Sequence, residues 1–150
     1  MGARLCRPVA ARVVFGYLAD ADGTVGQLLQ FYGARDPSGA LEDAQSGLTG
    51  VAYFSIQNER ERDRVFDAID SAADRVLIDL PAGAILPLSE FNEAVGLFDH
   101  ARRQGYDITI VNVVTPMLAS GRTVGLLIDR FGDIDKVSFL VVGCVPARGV

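Results

Sequence analysis

Two acidic segments have the residue types and spacing for divalent-cation chemistry. Asp20-Ala21-Asp22 follows the apolar run 13–19, and Asp79 closes the apolar stretch Val76-Leu77-Ile78. On an extended chain, residues two apart point to the same side, so Asp20 and Asp22 could face one ligand. Two carboxylates that close repel unless a cation or a set of donors compensates them. Mg²⁺, which prefers hard oxygen ligands and keeps part of its water shell, would do so. A competing reading makes Asp22 or Thr24 the cap of a helix that starts near Val25. At the second segment, a strand would carry Asp79 to the edge of a sheet. Pro81 then sets the exit angle of the chain, and Gly83 lets a backbone N–H approach a phosphate with no Cβ in the way.

The remaining composition narrows the chemistry. Lys136 is the only lysine, so no mechanism can use a lysine elsewhere. His100 is the only histidine, which excludes His-rich zinc sites and disfavours a serine triad. Cys6 and Cys144 stand at opposite ends with no metal-ligand spacing and read as reduced thiols. A net charge of −5 disfavours non-specific binding to nucleic acid. Arg4, Arg7 and Arg12 precede the run 13–19, but Asp20 ends it too early for a signal peptide or a membrane span. After Met1-Gly2, position 6 is Cys rather than the Ser or Thr of a myristoylation signal. The expectation is a cytoplasmic protein whose 150 residues form one domain.

The elements that must position the acids follow from periodicity. Segments 12–18, 51–57, 75–80, 107–115 and 136–144 read as strands, several of them apolar on both faces, as parallel strands buried on both sides are. Val25, Leu28, Leu29 and Tyr32 keep helical spacing ahead of Gly33, with Phe31-Tyr32 expected in the core. Val65, Phe66 and Ile69 form an inward stripe of a helix whose first half, 59–64, alternates in charge on a solvated face. Phe91, Ala94, Val95 and Phe98 repeat the spacing between a Ser89 cap and a Gly105 stop. Val124, Leu127, Ile128 and Phe131 repeat it again, with Gly121 and Gly125 expected to allow close helix packing. Arg102 and Arg103 suit a helix C-terminus, and His100 reads as a surface or edge residue. The expected fold is α/β, a three-layer sandwich with a mainly parallel sheet, incomplete at the N-terminus.

The segment Asp79-Leu80-Pro81-Ala82-Gly83 resembles the D-x-P-A-G stretch of the ParA/MinD-type deviant-Walker P-loop ATPases, including relatives from plasmid partition and conjugal transfer. Asp79 would end its Walker B strand. Asp20-Ala21-Asp22 fits the family's D-x-D ahead of Walker B. Downstream, an apolar strand ending in Thr115-Pro116, a helix with Ser120 and a further apolar strand keep the family order, so the resemblance covers roughly residues 13–143. It implies Mg²⁺ and ATP as cofactors, with Asp79 holding the metal through a water and Asp20 supporting the metal shell. Asp22 would position the attacking water, and Gly83 with Pro81 would form the switch beside the γ-phosphate. The implied reaction is ATP hydrolysis as a timed switch, with a protein partner.

The departures are specific. The family's glycine-rich GK[ST] loop should precede the D-x-D strand, yet residues 1–11 contain neither a lysine nor a glycine run. The family's adenine-contacting Asn is also missing after the last strand, where the chain reads Val142-Gly143-Cys144-Val145-Pro146. Without the loop, the surface over which a family dimer closes is missing, so dimerisation does not carry over. The chain is then a fragment or a degenerate relative. A non-catalytic α/β interaction module that no longer binds nucleotide is the alternative, and a flavodoxin-like fold with acids at its strand ends is a third reading.

Overall fold

The structure, a computed structural model, describes residues 16–115, 118–134 and 137–143. Their chain order is β1 (Gly16–Asp20), α1 (Gln27–Tyr32), β2 (Ala52–Tyr53), α2 (Arg64–Ile69), β3 (Arg75–Asp79), α3 (Ile85–Val95), α4 (Leu97–Arg103), β4 (Ile108–Val114), α5 (Leu118–Phe131) and β5 (Val137–Gly143). β1 lies between β2 and β3 in a three-stranded parallel sheet, and β4 pairs with β5 in a parallel two-stranded sheet. The fold is therefore mixed α/β with parallel sheets. No helix among the described residues is long and apolar enough to cross a membrane.

Side-chain alternation divides each strand between two faces. Val76 and Ile78 of β3, Ile108 and Ile110 of β4, and Val137 and Phe139 of β5 all pack against one apolar cluster. That cluster also takes Val65, Ala68 and Ile69 from α2, Phe91 from α3, Phe98 from α4, and Leu127 and Phe131 from α5. Four helices thus cover the same side of the strands. Asn112 of β4 donates to Thr123 of α5 across 3.0 Å on that side. α1 lies on the other side, where its Leu29 amide meets Asp20 of β1.

Most strands fall where apolar alternation places them. β3, β4 and β5 match 75–80, 107–115 and 136–144 closely, whereas the segment 51–57 keeps only two residues of regular ladder. Beyond Tyr53, an isolated antiparallel bridge between Asp22 and Ser55 replaces it. Helix ends differ more. Ser89 is not a cap: it is buried inside α3 and donates to Glu93. The single helix expected after it is two, because Gly96 adopts φ 67° and ends α3 with its N–H on the Asn92 carbonyl. The Asn92 side chain then accepts the Phe98 amide at 2.8 Å and restarts the chain as α4. Only glycine takes that left-handed conformation without a steric cost.

Some inward positions turn out to face solvent. Val25, Phe31 and Tyr32 are exposed, and α1 buries no residue, so its periodicity does not mark a core stripe. Ala94, Val95 and Ile128 are exposed as well. Gly121 and Gly125 face open space rather than a packed neighbour. In the charged segment, Glu59 and Arg60 are solvated as expected, but the Arg62 guanidinium sits 4.8 Å over the Phe91 ring. His100 is an edge residue that bonds Asp70 at 2.7 Å and sets its ring edge-on to Phe66. Cys6, Cys144, Lys136, Pro116 and the N-terminal arginines lie outside the described residues.

Phe131 anchors α5 through its ring, 5.5 Å from that of Phe98, with 1% of its surface exposed. Phe131→Ala removes a large buried ring and leaves a cavity, which typically costs about 3–5 kcal/mol. At about 2–4 °C per kcal/mol for a domain of this size, the melting temperature should fall by roughly 6–20 °C in a circular-dichroism melt.

Candidate functional site

The register of the three-stranded sheet brings the acids together. Tyr53 of β2, Asp20 of β1 and Asp79 of β3 are register partners in one row across the carboxyl ends of the strands. Side chains in such a row share a face, the one that carries α1. The row also lies where the strand order reverses. From β1 the chain passes through α1 to β2 on one side, then crosses back through α2 to β3 on the other. In open parallel sheets, this switch point beyond the carboxyl ends is where ligands bind.

Each acid has a different environment. Asp20 is fully buried, and its carboxylate is already used: one oxygen accepts the Asp22 amide at 3.2 Å and the other the Leu29 amide at 3.0 Å. Leu29 is the third residue of α1, so Asp20 satisfies one of the orphan amides of the first turn. α1 has Gly26 at its N-cap and no capping bond from a neighbouring side chain, which leaves this work to Asp20 nine residues upstream. Neither Asp22 nor Thr24 caps the helix. Asp22 instead accepts the Thr24 hydroxyl and stays partly exposed.

Asp79 is solvent-exposed at the end of β3, and its carbonyl accepts the Ala21 amide at 2.8 Å, which ties the loop after β1 to the end of β3. Its carboxyl is pushed above the ordinary value, first by desolvation and then by the charges of Asp20 and Asp22, while the Leu80 N–H pulls the other way. Beyond it, the Ala84 amide closes a turn on the Pro81 carbonyl. Gly83 stands at φ 82° with open space where a Cβ would be, so the backbone there is accessible.

Two members of the site carry no signal in the sequence. Tyr53 sets its ring against Gly26, where an added Cβ would come within 3.1 Å of it. Its phenol is raised by desolvation, then by Asp20, Asp22 and Glu61. Glu61 reaches back across its loop to accept the Ser55 amide at 2.9 Å and the Asn58 side chain at 2.7 Å. Tyr53 looks like one more apolar position of a strand until the β1–β2 register is known. Glu61 hides in a run of alternating charge.

The donor set fits Mg²⁺ and ATP to different degrees. Exposed Asp79 and partly exposed Asp22 suit a hydrated Mg²⁺, which is usually held by one or two carboxylates with waters between. Asp20 supplies charge from below, since both its oxygens face amides. Among the described residues, no group of three or more His, Cys, Asp or Glu side chains is placed to hold a metal ion. For the phosphates, the described residues offer no glycine-rich loop with a lysine. A cavity of about 650 Å³ borders β2, but Glu42, Asp43 and Asp67 outnumber Arg64 on its wall, so it repels a polyphosphate. The chain matches no family model, and the comparisons with curated proteins and with solved structures find no match either.

Two outcomes follow from these environments. Asp20→Ala removes two charge-assisted bonds to amides, worth about 1.5–3 kcal/mol each when a charged group is involved, and frees the start of α1. The melting temperature should drop by at least about 5 °C, and the amides of Asp22 and Leu29 should lose protection in hydrogen exchange. Asp79 acts in the opposite direction. Its raised carboxyl binds a proton more tightly in the folded state, so its ionisation destabilises the fold as pH rises from 3.8 through the raised value. Asp79→Asn should therefore raise the melting temperature at pH 7, with the gain vanishing well below pH 3.8, where both states hold the proton.

Proposed function

We propose that this chain is a nucleotide-binding domain of the ParA/MinD type, a three-layer α/β sandwich that retains the cation half of its site. Asp79 holds Mg²⁺ through water, and Asp22, on the loop after β1, orients a water next to it. Asp20 fixes the geometry of both from the buried row. Pro81 and Gly83 present the backbone that follows Asp79 to the ligand. The parent activity is Mg²⁺-dependent ATP hydrolysis, a cytoplasmic switch in plasmid partition, transfer or localisation. In this chain the phosphates lack the backbone cradle and lysine that fix them in that family, so nucleotide is held chiefly through the metal.

One observation carries the reading: Asp20 and Asp79 are register partners at the strand ends of the switch point, with Asp22 close enough to raise the Asp79 carboxyl. A divalent cation there relieves the repulsion that the three carboxylates impose on one another. The second reading, a non-catalytic interaction module, is favoured by the exposed aliphatic side chains of β4 and β5.

The two readings separate in a titration of the full chain with ATP and ADP, with and without millimolar Mg²⁺. Calorimetry should give dissociation constants on the order of 0.1–1 mM for both nucleotides, at least fivefold tighter with Mg²⁺. Asp79→Ala should abolish the Mg²⁺-dependent part. The chain has no tryptophan and four tyrosines, so Mg²⁺ should change the tyrosine emission of the wild type but neither that of Asp79→Ala nor that of Tyr53→Phe. Absence of any binding at several millimolar nucleotide, with or without Mg²⁺, sinks the nucleotide reading and leaves the interaction module.

A further inference from the structure

The cavity beside β2 has a wall made from a fixed loop. Gln45 holds that loop: its side-chain carbonyl accepts the amides of Ala34 and Val51 at 2.7 and 2.9 Å, and its side-chain N–H donates to the Glu42 carbonyl at 3.0 Å. Gly47 closes the loop onto β1. Its carbonyl accepts the Leu18 amide at 2.9 Å, and an added Cβ would stand 2.2 Å from the Tyr17 ring. Glu42 and Asp43 of this loop and Asp67 of α2 line the cavity, and among the described residues none of the three carboxylates has a hydrogen bond or an ion pair. Nor do they form a group placed to hold a metal ion. Arg64, the cation among the lining residues, already donates to the Tyr53 carbonyl at 2.6 Å. Tyr17 also lines the cavity although only 7% of its surface is exposed. Its phenol is raised first by desolvation and then by the Asp67 charge, while the Gly47 N–H and Arg64 pull it down. Both charges that act on it line the cavity, so the hydroxyl lies at the cavity end of the side chain. Among the described residues that hydroxyl donates to no acceptor.

We propose that this cavity binds a linear aliphatic polyamine, with one ammonium group at Asp67 and Tyr17 and another at Glu42 and Asp43. Carboxylate and phenol oxygens both accept ammonium hydrogens, and a charged donor makes such bonds short and strong. The negative charge comes from two elements, α2 and the loop before β2, and is spread along the wall rather than gathered at one point. A compact metal ion needs its ligands around one centre. An extended cation, with charges several bonds apart, does not. Leu29, Ala44 and Val51 stand among the acids, and their apolar surface suits the methylenes between ammonium groups. The volume of about 650 Å³ is that of a small-molecule site, which usually spans roughly 300–1,000 Å³. Nothing in this site requires nucleotide or Mg²⁺ at the strand ends.

The test titrates the full chain with spermidine by calorimetry, without Mg²⁺ and at about 50 mM salt, where screening still leaves the attraction measurable. Saturable binding is expected, with a dissociation constant on the order of 0.1 mM. Butylamine, which carries one charge and cannot engage both ends, should bind at least about tenfold more weakly. Asp67→Asn and Glu42→Gln should each weaken spermidine severalfold, and so should Tyr17→Phe, which removes only the hydroxyl. Glu90→Gln, at an exposed residue of α3 that does not line the cavity, should leave binding unchanged. Asp67 and Glu42 are exposed, and a circular-dichroism melt checks that every variant folds. The proposal is overturned if spermidine does not saturate below about 5 mM, or if butylamine binds as tightly. It is also overturned if Glu90→Gln weakens binding as much as Asp67→Asn does, since the net charge of the chain would then suffice. Loss of binding in Asp79→Ala but not in Asp67→Asn overturns it too, because the amine would then occupy the strand-end row.

Discussion

The arrangement at the strand ends depends on one buried carboxylate. Asp20 lies at the end of the central strand of its sheet with no exposed surface, and a carboxylate there is tolerable only because each oxygen faces a backbone N–H. Those two amides come from the next loop and from the first turn of α1. A single charge thereby holds the end of β1, the D-x-D loop and the start of a helix in fixed relation. α1 buries no side chain, so this bond largely stands in for the apolar stripe that usually seats a helix. The Asp79 carbonyl, which accepts the Ala21 amide, secures the same loop from the other side.

The placement of the helices follows from how the chain moves through the sheet. Parallel crossovers are right-handed almost without exception, so the direction of travel decides which face a helix covers. From β1 to β2 the chain goes one way and α1 falls on the Asp20 face. From β2 to β3 it goes back across β1, and α2 falls on the opposite face with α3, α4 and α5. The reversal falls at the carboxyl ends of β1 and β3, where the row of Tyr53, Asp20 and Asp79 lies. The same rule that collects four helices on one side leaves Val111, Val113, Leu140 and Val142 uncovered on the other.

How much of this the sequence reveals depends on the range of the interaction. Strands β3, β4 and β5 were legible because continuous apolar runs bounded by charge or glycine need only local pattern. The acids at 20, 22 and 79 were legible as strand-end residues, since each follows an apolar run. Their division of labour was not. Whether Asp20 binds a ligand or two amides is decided by Leu29, nine residues away, and by burial that no local pattern encodes. Tyr53 joined the row only through pairing across 33 residues of chain. The stripe of α1 misled for a related reason. Helical spacing at Val25, Leu28, Leu29 and Tyr32 shows an amphipathic segment, but a helix held by a backbone-to-carboxylate bond has no need to bury it. Gly96 could have been read as a break, yet the apolar spacing of Phe91 and Phe98 ran across it and suggested continuity.

The electrostatics of the row give its chemistry a direction. Every side-chain charge that shifts Asp79 or Tyr53 is a carboxylate, and each shift favours the protonated form. A structural ion pair would do the reverse, lowering the acid by bringing up a cation from the fold itself. Hydrogen bonds lower an acid as well: on the surface, the Ser38 hydroxyl and the amides of Ala40, Ser38 and Gly39 pull the Asp36 carboxyl down. At the strand ends, the fold instead concentrates negative charge beside an exposed carboxylate and spends its available donors on Asp20. Strain of this kind is relieved by protons or by cations from outside. The placement of Asp79 next to Asp20 and Asp22 is thus a cost that a divalent cation, if bound there, would relieve.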